Sequence, residues 1–235
     1  MGRALARRFV ERGDWVALLG RDADELVRSK SDLEARGAPG VRVVVGKCDL
    51  EDTATFRPAL EAAEQALEGL DTVVVTAAVF ATQEKLEQDP VLAQKMLTVD
   101  FANTIVFCEE ARKKLLLRGS GTLCVFSSVA GDRARKPVVL YGAAKAGLSA
   151  YLEGLDHRYR SQGLTTVCVK PGFVKTGMTA GLPQPPFAGD PDEVAQTVIE
   201  AIDAGTPIVY APGIWRVVMA AIKAMPRFIM RRAKF

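Results

Sequence analysis

Short runs of β-branched and aliphatic residues recur along the chain, separated by longer stretches in which apolar residues return every three or four positions. The runs at 15–19 (WVALL), 41–46 (VRVVVG), 72–76 (TVVVT), 121–127 (GTLCVFS), 164–170 (LTTVCVK) and 207–210 (PIVY) read as strands. The periodic stretches Gly2–Val10, 23–36, 53–68, 91–118, 141–161 and 191–203 read as helices. Strands such as VVV and VCV are apolar on both faces, which suits a parallel sheet covered by helices on either side. Strict alternation of the two element types predicts a three-layer, doubly wound α/β domain over 1–212, with 213–235 as a tail of the same domain. The segment 181–190 (GLPQPPFAGD) is Pro-rich and long enough for a substrate lid.

The pattern begins with a helix, and no strand delivers it. In doubly wound nucleotide-binding folds the first strand is central, and a Gly-rich turn then points backbone N–H groups and a helix N-terminus at phosphates. The expectation is a sheet in which strands 15–19 and 72–76 lack a shared neighbour, with a strand and turn lost from ahead of Met1 through a misplaced start or shortened chain.

At 235 residues, 49% hydrophobic and 25% charged, the chain suits one globular domain. The basic N-terminus has no apolar core of a signal peptide. Cys48, Cys108, Cys124 and Cys168 lack metal-ligand spacing and lie mostly in apolar runs, so they read as buried thiols in a reducing cytoplasm, and no metal site is expected. Of the 31 Lys and Arg residues, Arg216, Lys223, Arg227, Arg231, Arg232 and Lys234 follow the last acidic residue, Asp203. The body therefore carries 25 basic against 28 acidic residues, which argues against nucleic acid as a partner.

Chemistry concentrates in "VFSSVAGDRARKPVVLYGAAKAGL". Tyr141 and Lys145, four apart, share one helix face, where an ammonium lowers a phenol's pKa and makes it a usable proton donor. Ser128 closes the preceding strand and can hydrogen-bond a carbonyl oxygen as charge develops on it. The Tyr-x-x-x-Lys pair alone is no more than a common exposed pairing, but Ser-Ser-x-x-Gly upstream at a strand end makes the set specific. His157, the single histidine, lies near a helix end without a nucleophile elbow, so it reads as a solvated residue.

These motifs resemble the short-chain dehydrogenase/reductase family over nearly the whole chain. The resemblance implies a Rossmann-like fold, hydride exchange between a nicotinamide cofactor and a carbonyl or secondary alcohol, and roles for four residues. Ser128 would position the substrate oxygen, Tyr141 transfer the proton, Lys145 hold the nicotinamide ribose and tune the tyrosine, and Asp100 brace the lysine. "KPGFVKTGM" is similar to the family's Pro-Gly-x-Val-x-Thr segment, which would put Pro171, Gly172, Val174 and Thr176 beside the nicotinamide carboxamide. "CDLED" resembles the adenine-pocket segment at Asp49 and Leu50, and "MGRALARRF" the second half of the phosphate turn, with Gly2 its last glycine.

Arg21, after Gly20 at a strand end, suits a 2′-phosphate, so NADP is expected over NAD; the adjacent Asp22 tempers this unless it caps the next helix. Two positions depart from the family pattern. Val75-Thr76-Ala77-Ala78 replaces Asn-Asn-Ala-Gly, leaving Ala77 a backbone cofactor contact. Asp100 replaces an asparagine, and its charge is expected to raise the pKa of Lys145, with Asn103 one turn on as a substitute.

In the tail, Arg216, Lys223 and Arg227 form one stripe, with Trp215, Val218, Met219 and Ile222 largely on the other faces and Pro226 as a break. It is too short to span a bilayer, which needs about 20 apolar residues, but suits lying on an anionic surface. Packing on the body or at a dimer interface is the alternative. The tail is similar to those of decaprenylphosphoryl 2-keto-pentofuranose reductases and other reductases of lipidic substrates. The helices at 91–118 and 141–161 resemble those that pair in family oligomers, so a homo-oligomer is expected. The alternative to the enzyme is a catalytically weak nucleotide-binding or membrane-associated sensor on the same fold.

Overall fold

The computed structural model describes residues 1–233. Six parallel strands alternate with helices: α1 (Gly2–Arg12), β1 (Val16–Gly20), α2 (Ala23–Arg36), β2 (Val43–Lys47), α3 (Phe56–Ala66), β3 (Thr72–Val75), α4 (Gln83–Gln88), α5 (Pro90–Leu97), α6 (Asn103–Leu117), β4 (Gly121–Phe126), α7 (Val139–Tyr159), β5 (Leu164–Pro171), α8 (Pro191–Asp203), β6 (Ile208–Ala211), α9 (Ile214–Ala224) and α10 (Arg227–Met230). The strands match the expected runs within two residues at either end.

The two faces of the sheet bury different helices because side chains alternate along each strand. On β4, Leu123 and Val125 join Phe56 and Leu60 of α3, Phe107 and Leu115 of α6, and Leu148 and Leu152 of α7. Cys124 and Phe126 face the other way, onto Leu5 and Phe9 of α1 and Val194 to Ile202 of α8. This makes the three layers. All four cysteines are buried and free.

The strands form two sheets, β1–β2 and β3–β4–β5–β6, each parallel throughout. Between the facing edges of β1 and β3 runs a slot of about 830 Å³, where the sequence expected the shared neighbour to be missing. Leu5, Ala6 and Phe9 of α1 line one side, and Leu60, Ala63 and Phe107 the other. Helix α1 ties the halves together, since Ala6 and Val10 pack with Leu33 of α2 and Val43 while Leu5 and Phe9 pack with α8. Arg12 adds an ion pair to Asp203 at 2.8 Å.

The helix expected at 91–118 runs from Pro90 to Leu117, but a π-helical turn, Thr98–Ala102, interrupts it between α5 and α6 and turns Asp100 into the interior. Pro90–Leu117 is long and apolar enough to cross a membrane by length and composition alone, but Met96, Cys108, Ala111 and Leu115 bury its inner side in the fold. The six-residue α4 is too short to leave a periodic signature.

Candidate active site

In a parallel sheet every strand delivers its C-terminus to the same edge, and ligands bind there. That edge gathers the expected residues: Arg21 after β1, Asp49 and Leu50 after β2, Ala77 after β3, Ser128 after β4, and Pro171 closing β5 with Gly172 to Thr176 after it. Gly2, Arg21, Asp49, Leu50 and Ala77 together line the mouth of the slot.

The catalytic candidates converge between β4, α7 and the π turn. Ser128 ends its strand in extended backbone and caps a short 3₁₀ turn, its Oγ accepting from the Ala130 N–H at 3.1 Å. The turn lies flat on α7 because Gly131 has no side chain; a Cβ there would stand 2.7 Å from the Ala146 nitrogen. Ser127, beside it, is structural: its Oγ donates to the Lys145 carbonyl at 2.9 Å and pairs with Ser149 Oγ at 2.7 Å. The sequence motif did not separate these two serines.

Lys145 is 2% exposed and Asp100 fully buried. Their nearest atoms, Lys145 Nζ and Asp100 Oδ2, are 3.5 Å apart, and Nζ also donates to the Phe126 carbonyl at 3.3 Å. Asp100 Oδ1 accepts the Val79 N–H at 2.6 Å, which fixes the loop after Ala77, while Oδ2 makes no hydrogen bond. The lysine lies 5.6 Å from the centroid of the Tyr141 ring, against which Phe80 packs edge-on at 5.2 Å.

Burial governs protonation here. It lowers the Lys145 pKa even though Asp100 pulls it up, so the expected net rise does not occur. It raises the Asp100 pKa against the opposing pull of Lys145 and the Val79 N–H. It also pushes the Tyr141 phenol up, with Asp100's charge adding to the effect and the nearby Ser128 hydroxyl working against it, so the lowering expected from Lys145 does not prevail. The phenol is therefore held neutral, as a proton donor.

Asn103 does not substitute for Asp100; its Nδ2 donates to the Leu50 carbonyl at 2.6 Å and braces the slot mouth instead. Asp22 caps α2, accepting the Glu25 N–H at 2.9 Å, which frees Arg21 from an adjacent competing carboxylate. Arg21 is largely exposed and pairs with Glu51 at 3.0 Å. Asp49 accepts the Glu51 N–H at 3.0 Å and holds the turn after β2. Past β5, the Gly172 N–H donates to Ala211, Val174 bridges Gly189, and Thr176 caps the turn at Gly177–Thr179.

One buried cluster escaped the sequence reading. Lys170, just before Pro171, pairs with Asp132 at 2.6 Å, and the Tyr210 hydroxyl donates to the other Asp132 oxygen at 2.7 Å. This ties the turn after Ser128 to β5 and β6. The only sequence signal was a charge closing the apolar strand VCVK.

A neutral, half-buried tyrosine beside a buried lysine and a strand-end serine is a proton-donating site, set at a cofactor edge. Residues 1–186 match the short chain dehydrogenase family, to which this chain belongs. It is accordingly an oxidoreductase acting on CH–OH and C=O groups, in a family whose members bind NAD(P). The chain is 31% identical over 232 residues to Uncharacterized oxidoreductase Rv2073c of Mycobacterium tuberculosis, spanning 99% of this chain and 92% of that protein. Carbonyl reductase family member 4 of Xenopus tropicalis is 23% identical over 212 residues, 87% of each chain. Among solved structures, levodione reductase superposes with a TM-score of 0.80 at 21% identity, over 90% of this chain and 92% of that one.

Proposed function

We propose that the chain is an NADP-dependent carbonyl reductase or secondary-alcohol dehydrogenase in which Tyr141 is the proton donor. The observation that carries this reading is the half-buried Tyr141 over the buried Lys145–Asp100 pair, beside Ser128. The residues present fit a dinucleotide at both ends of the edge: Gly20, Arg21, Asp49 and Leu50 for the adenosine half, Ala77 and Gly2 for the middle, and Lys145 with Pro171, Gly172, Val174 and Thr176 for the nicotinamide half. The bound cofactor supplies or accepts a hydride.

The chain's own residues handle the proton and the oxygen. Ser128 Oγ donates to the substrate oxygen, and Tyr141 gives that oxygen its phenolic proton as negative charge collects there. Lys145 stabilises the phenolate left behind, and Asp100 keeps a proton close to Lys145 in a site too buried for water to do so readily. In the oxidative direction the same groups run in reverse.

NADP rather than NAD is favoured by Arg21 at the slot mouth and by the commitment of Asp22 to its helix cap. A lipidic or lipid-linked sugar substrate is favoured by exposed Phe187 in the lid and exposed Met178 in the turn before it. Self-association is favoured by exposed Val91, Val106 and Leu117 on α5 and α6, and a monomer by light scattering would contradict it. The enzyme is expected to work in the cytoplasm. The functional test is oxidation of NADPH and NADH across a panel of ketones, lipid-linked ketosugars and 3-keto lipids. Turnover with NADPH, lost in Tyr141→Phe, is expected; cofactor binding without turnover on any carbonyl would overturn the catalytic reading in favour of a sensor.

A further inference from the structure

The sequence left Trp215, Val218, Met219 and Ile222 either to meet an anionic surface or to pack on the body. The fold packs them on the body. Met219 and Ile222 are buried with Val129, and Trp215, Val218, Met225 and Met230 pack against the same cluster. The packing is close at Gly172, where a Cβ would collide with the Trp215 indole.

With that face spent on the body, α9 presents a second apolar stripe to solvent. Ile214, Val217, Ala221 and Ala224 fall at helical spacing and are all exposed, Val217 to 67%. Phe228 and Ile229 of α10 continue the exposed apolar surface, Phe228 to 62%. The lid adds Phe187, whose carbonyl accepts from Trp215 Nε1 at 3.3 Å, so lid and tail are joined.

The charges of this region are also unusual. Among the described residues, Arg216, Lys223, Arg227, Arg231 and Arg232 enter no ion pair with a side-chain carboxylate, and no acidic residue follows Asp203. In the body most arginines are paired, Arg3, Arg7, Arg12, Arg28, Arg36 and Arg42 among them, although Arg8, Arg118, Arg133, Arg135 and Arg158 are not. Lys234, the last cation of the expected set, lies outside the described residues. On α9, Arg216 and Lys223 sit between the buried face and the exposed apolar stripe.

We propose that α9, α10 and the tip of the lid dock on an anionic lipid bilayer. Exposed apolar side chains enter the acyl boundary while unpaired cations meet the headgroups, the pattern of a helix lying in an interface. The partner is an anionic surface because the face offers cations and no carboxylates. Docking holds the bilayer beside the catalytic turns, since the Arg133 guanidinium donates to the Met225 carbonyl at 2.9 Å and Lys136 Nζ to the Arg231 carbonyl at 2.6 Å. The proposal stands apart from the cofactor and substrate readings, because vesicle binding needs neither.

The test is co-sedimentation of the full chain with phosphatidylcholine vesicles, with and without phosphatidylglycerol. Binding is expected only where phosphatidylglycerol is present, weakening with salt and falling about fivefold for each cation removed in Arg216→Gln and Lys223→Gln. Val217→Glu and Phe228→Glu, both at exposed positions, are expected to lose at least about tenfold while melting cooperatively like the parent. Three results would overturn the proposal: no binding to the anionic vesicles, binding unaltered by the two glutamate substitutions, or lipid-free self-association that those substitutions abolish, which would make a second copy the occupant.

Discussion

Replacing Lys145 by Met in the full chain tests whether the site rests on a buried ion pair. At 3.5 Å and an effective dielectric of about 20, the attraction to Asp100 is roughly 5 kcal/mol. Burying the two ions costs several kcal/mol each, so the pair comes close to breaking even against apolar neighbours of the same size. The substitution removes the attraction but leaves the carboxylate buried, with Oδ2 still lacking any hydrogen bond. Lys145→Met is therefore expected to destabilise by about 3–5 kcal/mol near pH 7, whereas Asp100→Asn/Lys145→Met returns to within about 1 kcal/mol of the parent. The sign with pH follows from Asp100, whose pKa in the fold stands above its ordinary value. Such an acid holds its proton more readily folded than unfolded, so stability falls as pH rises from the ordinary carboxylate range through the folded pKa and returns on acidification. Urea unfolding of the single variant near pH 7 and again near pH 5 should show a smaller deficit in acid. Equal stability of the single and double variants, or a deficit that grows in acid, would refute the ion-pair reasoning.

Tyr141→Phe removes the proton donor but leaves the ring packed against Phe80; turnover should drop by about 10²–10⁴, with melting temperature and NADPH affinity near those of the parent. Arg21→Ala is expected to weaken NADPH binding by roughly 10- to 100-fold and leave NADH binding nearly unchanged, read by nicotinamide fluorescence titration. Joining an apolar strand and a Gly-rich turn ahead of Met1 should fill the slot between β1 and β3, raise the melting temperature and tighten NADPH binding; an unaltered melting temperature would show that the slot does not accept a strand.

Local chemistry made much of this legible in the sequence. Ser128, Tyr141 and Lys145 are set by a strand end and a helix repeat, both short-range features, and the structure brings them together. Asp22 likewise caps the helix that follows it. Long-range features were not legible. The π turn rotates Asp100 inward and Asn103 toward Leu50, and no local periodicity announces that change of phase. Asp132, Lys170 and Tyr210 meet across three separate segments, so their pairing exists only once the sheet has formed. In α9 the apolar pattern marked positions able to be buried, but a helix with two apolar stripes does not say which one meets the body.

Hydride transfer in this enzyme is coupled, on the reading above, to a proton from Tyr141. The most direct measurement uses NADPH deuterated at the transferring position of the nicotinamide, with mass spectrometry of the alcohol formed by the full chain and by Tyr141→Phe. One deuterium is expected on the carbinol carbon of the product, with near-complete loss of that product in the variant. A product without deuterium, or one formed equally well by Tyr141→Phe, would contradict it.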